Sequence, residues 1–167
     1  MAAGSTLISV EEYLNTTYKP ACDYIDGVLR QKSMPTGKHG MVQARLSHLI
    51  TLKCPGFEPA PEVTVQIRTG KYLVPDLIVQ ESDRIQDPYP IEPVYLCVEI
   101  LSPGDRMGET IAKCEDYLEW GVETTWIIDP DEKRAWEYRK GRRLQEVRDK
   151  LNAGEISISF DELFAGL

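Results

Sequence analysis

Residues 72–79 and 94–101 read YLVPDLIV and VYLCVEIL, and each carries one acid inside an otherwise apolar run. The second run has too few polar breaks for a half-exposed strand. It is therefore expected near the centre of a sheet, with Tyr72–Val79 as another strand. Asp76 and Glu99 stand out for that reason. A carboxylate in a buried strand costs several kcal/mol unless it is paired or binds a cation. Two such carboxylates on strands that could be neighbours suggest one shared cation, and hard oxygen ligands suit Mg²⁺ or Mn²⁺. An ion held there lowers the pKa of water and offsets charge on a phosphate. Phosphodiester hydrolysis also needs a fixed positive charge close by.

Working outward, the elements are short and alternate in type, which indicates an α/β or α+β fold. Ser9 is a plausible N-cap for a short helix to Asn15, with Glu12 placed as in a capping box. Residues 22–33 read as a hairpin turning at Asp26-Gly27. From His39 to Leu52, the spacing of Val42, Leu46, Leu49 and Ile50 is that of one helix face, ended by the prolines at 55, 59 and 61. Val63, Val65 and Ile67 alternate with polar residues as a strand. Residues 106–120 carry one apolar stripe (Met107, Ile111, Cys114, Leu118) and a second at Lys113, Tyr117 and Trp120, with Gly121 as the C-cap. Strands follow at Thr124–Asp129 and around Ala135–Arg139. A late strand contains Ile156, Ile158 and Phe160, and a helical turn covers Asp161–Phe164.

The 167 residues fit one domain, taken as 1–167, and 42% hydrophobic with 28% charged residues is a globular composition. No run approaches the ~18 apolar residues of a membrane span. The start, MAAGSTLISVEEYL, lacks a basic region ahead of an apolar run, so a cytoplasmic protein is expected. The four cysteines have no CxxC spacing, which argues against structural zinc, and Cys97 and Cys114 are read as small core residues. The net charge of −8 opposes tight, purely electrostatic binding of nucleic acid. Residues 133–150, however, hold eight Lys/Arg against three Asp/Glu. That strip suits a nuclease and equally suits a solvated hairpin.

DYIDG at 23–27, KHG at 38–40, PDLIV at 75–79, VEILSP at 98–103, then Lys113 and EDYLEWGVETTWIIDP at 115–130 occur in this order. The ordered set, over roughly residues 10–140, resembles the Uma2-like (DUF820) group of the PD-(D/E)XK nuclease superfamily. The resemblance implies a restriction-endonuclease-like core: a central mixed sheet flanked by helices, with added hairpins. It implies Asp76 and Glu99 as metal ligands, completed by the Ile100 carbonyl, with Mg²⁺ or Mn²⁺ as cofactor. The usual Asp-(Asp/Glu)-X-Lys signature would put lysine at position 101, where this chain has Leu101, so the resemblance moves the catalytic lysine to Lys113. Asp23 falls where the family has an acidic residue, usually glutamate, and His39 matches a histidine at the start of its first long helix. A homodimer acting on DNA is implied as well.

Each residue also has an ordinary reading. Asp76 could cap backbone N–H groups, Glu99 could form a buried ion pair, and Lys113 could pair with Glu109 on the helix surface. Asp26 and Asp129 are read as turn residues, and Tyr117 and Trp120 as core. The leading expectation is an Mg²⁺-dependent endodeoxyribonuclease. The alternatives are a catalytically degenerate module binding nucleic acid or protein, and a metal-dependent phosphoesterase on smaller substrates. A purely structural module ranks behind these because it leaves the two buried acids unexplained.

Overall fold

The computed structural model describes residues 6–167. Part of the amino-terminal stretch read above for a secretory signal, residues 1–5, lies outside the described residues. Among the described residues no helix is long and apolar enough to cross a membrane.

The chain runs α1 (Val10–Leu14), β1 (Cys22–Ile25), β2 (Val28–Gln31), α2 (Gly37–Lys53), β3 (Phe57–Pro61), β4 (Val65–Arg68), β5 (Lys71–Leu73), β6 (Leu77–Glu81) and β7 (Leu96–Ile100). It continues α3 (Met107–Trp120), β8 (Thr124–Asp129), β9 (Arg134–Arg139), β10 (Gln145–Val147), β11 (Lys150–Ala153), β12 (Ile156–Ser159) and α4 (Phe160–Leu163). The central sheet has the order β10-β9-β8-β7-β6-β3. Only β7 and β8 pair in parallel, joined through α3, and the other neighbours are antiparallel. A smaller sheet has the order β2-β1-β5-β4, and β11 with β12 forms a separate hairpin. This is the α+β class read from the residues, with the central mixed sheet and added hairpins that the resemblance implies.

Alternation along β6 and β7 assigns their two faces. Leu77, Val79, Leu96, Val98 and Ile100 pack into a core with α2, α4 and the β11–β12 hairpin. Ile78 and Cys97 face the other way, into a core with Tyr117 of α3 and Val65 and Leu73 of the smaller sheet. Each such side chain, taken fully out of water, contributes about 1.5–3 kcal/mol. All five residues of β7 are buried between β6 and β8, as expected for a central strand. Cys97 and Cys114 are both fully buried in the core.

Local signals hold where they are strong. The Ser9 hydroxyl accepts the Glu12 N–H at 3.1 Å, and the β1–β2 hairpin turns at Asp26 and Gly27 with φ of 48° and 91°, as a two-residue primed turn requires. The expected strand Tyr72–Val79 is instead two strands in two sheets. Pro75 has no N–H to give a ladder, and the Val74 N–H donates to Asp23 Oδ1 at 2.7 Å, so the chain leaves the smaller sheet there and enters the central one at Leu77. Strand β3, not expected amid its prolines, sits at the sheet edge, where a missing N–H is tolerated. Phe160 belongs to α4, because the Ser159 hydroxyl accepts the Glu162 N–H and starts the helix one residue early.

Gly121 ends α3 with φ 128°, its N–H donating to the carbonyls of Tyr117 and Leu118. A Cβ there would lie 2.7 Å from Pro93 Cγ. Gly121→Ala is therefore expected to cost about 2 kcal/mol, from backbone strain and overlap together. The check is urea unfolding, where the midpoint falls at unchanged slope; an unmoved midpoint would show that the Pro93 loop yields freely.

Candidate functional site

Glu99 shares the face of Cys97 and so looks toward α3, not toward α2. Asp76 precedes β6 by one residue. The Leu77–Val98 pairing, carried one step further, sets it opposite Glu99 on the same face. The two acids line a cleft of about 450 Å³ together with Asp23, Lys32, His39 and Lys113. Ile100 and Leu101 line it too. Every site residue expected from the sequence thus opens on one cleft, although the six come from β1, α2, the β5–β6 link, β7 and α3.

Asp76 is almost fully engaged. Its Oδ2 accepts the Ile100 N–H at 2.6 Å, and its Oδ1 lies 2.6 Å from Lys32 Nζ and 3.3 Å from His39 Nε2. Burial opposes its ionisation. The neighbouring His39 and the Lys32 charge outweigh that burial and hold the carboxyl well below the usual carboxylate range. Glu99 behaves in the opposite way. Burial lifts its carboxyl to about 7, with Lys113 opposing the rise and the Asp76 charge adding to it. Glu99 Oε1 accepts from the Tyr117 hydroxyl at 2.6 Å and lies 3.1 Å from Lys113 Nζ. Among the described residues no donor reaches Oε2. Two adjacent acids pushed apart in this way are a recurrent property of reacting sites.

Lys113 makes no pair with Glu109. Its Nζ lies 3.0 Å from the Val74 carbonyl, 3.2 Å from Asp23 Oδ2 and 3.1 Å from Glu99 Oε1. Burial acts against its charge, but the three surrounding acids prevail and raise it above the ordinary lysine value. Asp23 accepts the Val74 N–H through its other oxygen, so it braces both the chain break at Pro75 and Lys113. His39, held at the start of α2 by its N–H to the Thr36 hydroxyl at 3.2 Å, turns Nε2 to Asp76 and leaves a buried Nδ1 with no partner among the described residues. The ordinary readings of Asp76 as a cap and Glu99 as an ion-pair member also describe real contacts.

Lys32 has no counterpart among the residues expected from the sequence. It follows β2 directly, its own N–H donating to the Ala21 carbonyl, and in QKS it looks like any hairpin lysine. Only the fold brings it 44 positions along the chain to Asp76. In the basic strip at 133–150 the lysines and arginines are exposed along β9, β10 and the segments that flank them, and Arg134 pairs with Glu146 and Arg139 with the buried Glu137. Asp26 and Asp129 are turn residues, as read from the sequence; Asp129 accepts two turn N–H groups, and Asp26 also pairs with Arg68.

Among the described residues no three His, Cys, Asp or Glu side chains are arranged to hold a metal. The donor set is two hard carboxylates on adjacent strands, one oxygen of Glu99 among them without a donor. That composition fits Mg²⁺ or Mn²⁺, which take one or two carboxylates and leave the remaining positions to water and substrate phosphate. It does not resemble a zinc site of thiolates and imidazoles.

Comparison with known proteins bears on the family and the fold. The family model Uma2, described as "Putative restriction endonuclease", matches residues 10–167. A crystal structure described as a "putative nuclease belonging to DUF820", from Anabaena variabilis, is 26% identical over 95% of this chain and 98% of its own, with a TM-score of 0.80. The DrdV–DNA complex is 17% identical over 68% of this chain and 12% of its own, with a TM-score of 0.40. No curated protein matches the chain. With the family match running from α1 to the final residue, and a DUF820 fold superposing over nearly the whole length, the chain belongs to the Uma2 family.

Proposed function

We propose that this protein is a metal-dependent nuclease that hydrolyses phosphodiester bonds in DNA by attack of water. The observation that carries the reading is the placement of Asp76 and Glu99 side by side in a cleft that also holds two lysines. Asp76, Glu99 and the Ile100 carbonyl are the groups that would hold Mg²⁺ or Mn²⁺. When bound, the ion would supply an activated water and a positive charge against the phosphate. Asp76, kept ionised, offers a permanent anionic ligand. Lys113 offsets Asp23 and Glu99, so three acids can share one small volume. His39 orients Asp76 and acts as a positioning residue. Cleavage of both strands of a duplex needs two such sites, for which a homodimer is the simplest arrangement. The family description and the DUF820 nuclease from Anabaena variabilis support the reaction class.

A catalytically silent DNA-binding module is the second reading. It is favoured by the ammonium groups already seated on both carboxylates and by Leu101 at the usual lysine position.

The test is a calorimetric titration of Mn²⁺ and Mg²⁺ into wild type and Glu99→Ala, with and without a phosphorothioate duplex, beside a plasmid-nicking assay. Metal binding that Glu99→Ala abolishes, together with metal-dependent nicking, is expected. Duplex binding with neither would establish the silent module. Hydrolysis of a small phosphodiester with the plasmid left intact would point to a phosphoesterase on smaller substrates.

A further inference from the structure

Lys32 and Lys113 both neutralise the paired acids, yet they differ in what decides whether an ammonium group can move. An ammonium carries three N–H donors. Lys113, on the second turn of α3, has three acceptors within 3.2 Å: Val74 O, Asp23 Oδ2 and Glu99 Oε1. Every donor is matched, and two of the acceptors belong to the framework around Pro75. Lys32 has two acceptors, Asp76 Oδ1 at 2.6 Å and Glu62 Oε2 at 3.0 Å. Glu62 has its side chain 42% exposed and is not among the residues that line the cleft. One donor of Lys32 is therefore left over, and one of its partners is already in solvent. Its four-carbon stem lets the head swing with the backbone held by Ala21.

The two oxygens of Asp76 are also unequal. Oδ2 is tied to the Ile100 N–H, which the fold cannot release without opening the end of β7. Oδ1 has no backbone partner: it is held by two side chains, Lys32 Nζ at 2.6 Å and His39 Nε2 at 3.3 Å, and of these Lys32 has the longer, more flexible stem.

We infer that Lys32 is a displaceable counter-cation and the substrate-facing lysine of this site, whereas Lys113 is a fixed brace. Without a divalent ion, Lys32 holds Asp76 ionised. With a divalent ion held at Asp76, Lys32 would give up its contact with that carboxylate, keep Glu62, and present its freed donors to a non-bridging oxygen of a bound phosphate. The two side chains are equally shielded, each 14% exposed, so the division of labour is set by partners: Lys32 reaches from a hairpin end with one donor spare, and Lys113 rises from a packed helix with three acceptors around it. The inference rests on the metal-site reading of the cleft.

Three proteins, wild type, Lys32→Met and Lys32→Arg, would be titrated with Mn²⁺ by calorimetry. Wild type would also be acylated with a water-soluble succinimidyl ester, with and without Mg²⁺, and its lysines followed by mass spectrometry. Lys32→Met is expected to bind Mn²⁺ about tenfold more tightly, because a like charge a few ångströms from the ion has gone, and to nick plasmid at least about a hundredfold more slowly. Lys32→Arg keeps the charge and does not tighten binding. Acylation of Lys32 rises with Mg²⁺, and Lys113 stays unlabelled in both states. Unchanged or weaker Mn²⁺ binding in Lys32→Met, or labelling of Lys32 that ignores Mg²⁺, overturns the inference. Should Lys32→Met not fold, labelling of wild type decides alone. If wild type binds no metal, the proposed function fails and Lys32 with it; if wild type binds metal through Glu99 and Lys32 does not respond, only this inference fails.

Discussion

Lys113→Ala is expected to cost the protein stability before it costs anything else. Its ammonium is the shared cation of Asp23 and Glu99, in the cleft wall and largely out of water. Removing one partner of a buried ionic cluster leaves uncompensated charge and destabilises by about 3–5 kcal/mol. It also leaves the Val74 carbonyl without its 3.0 Å donor. Two features soften the loss. Glu99, lifted to about 7 by burial, can take up a proton once its counter-ion is gone. The Tyr117 hydroxyl still donates to it. The lower half of the range is therefore expected, near 3 kcal/mol, a fall in Tm of roughly 10 °C for a chain of this size. A thermal melt followed by circular dichroism in metal-free buffer measures it. A Tm within a degree or two of wild type would mean that Lys113 braces nothing and is available to the substrate, which is the role the family resemblance gave it.

Asp76→Asn is expected to have the opposite profile, with a small loss of stability and a large loss of hydrolysis. Asparagine has nearly the same shape, and its carbonyl oxygen can still accept the Ile100 N–H. What disappears is the negative charge beneath Lys32 and, in the proposed mechanism, the permanent anionic metal ligand. Stability should fall by about 1–3 kcal/mol, the cost of one charged hydrogen-bond partner. Plasmid nicking should fall on the order of a thousandfold, the upper scale for losing one electrostatic contact to the reacting group. Nicking rates at saturating Mg²⁺ give the second figure, and urea unfolding gives the first. If Asp76→Asn nicks at a rate near wild type, the carboxylate is a strand-end cap and the metal reading is wrong at that residue.

Asp76 and Glu99 were legible because each contradicts its surroundings. An acid inside LVPDLIV or YLCVEIL is a local conflict, and a conflict that folding retains calls for a compensating cation. The hairpin at Asp26-Gly27 and the α2 and α3 stripes were legible because turn chemistry and a 3.6-residue period are properties of a few consecutive residues. Lys113 was found through resemblance, and its partners were not. On α3 its spacing suited Glu109 as well as any acid elsewhere, and only the packing of α3 over β7 and the smaller sheet decides in favour of Glu99 and Asp23.

The mixed class of the fold, the central position of β7 and the two acids that need a cation can be read from the residues alone, because these follow from short-range pattern and the cost of burying charge. The tertiary structure alone decided that Tyr72–Val79 divides between two sheets at Pro75. It alone supplied β3 as an edge strand, and it alone seated Lys32 on Asp76. Each of those depends on a partner tens of residues away: the Val74 N–H turned to Asp23, the β6 edge that receives β3, and the Asp76 oxygen 44 positions from Lys32. A surface lysine and a site lysine have the same local sequence, and what separates them is the charge that the fold sets against the ammonium.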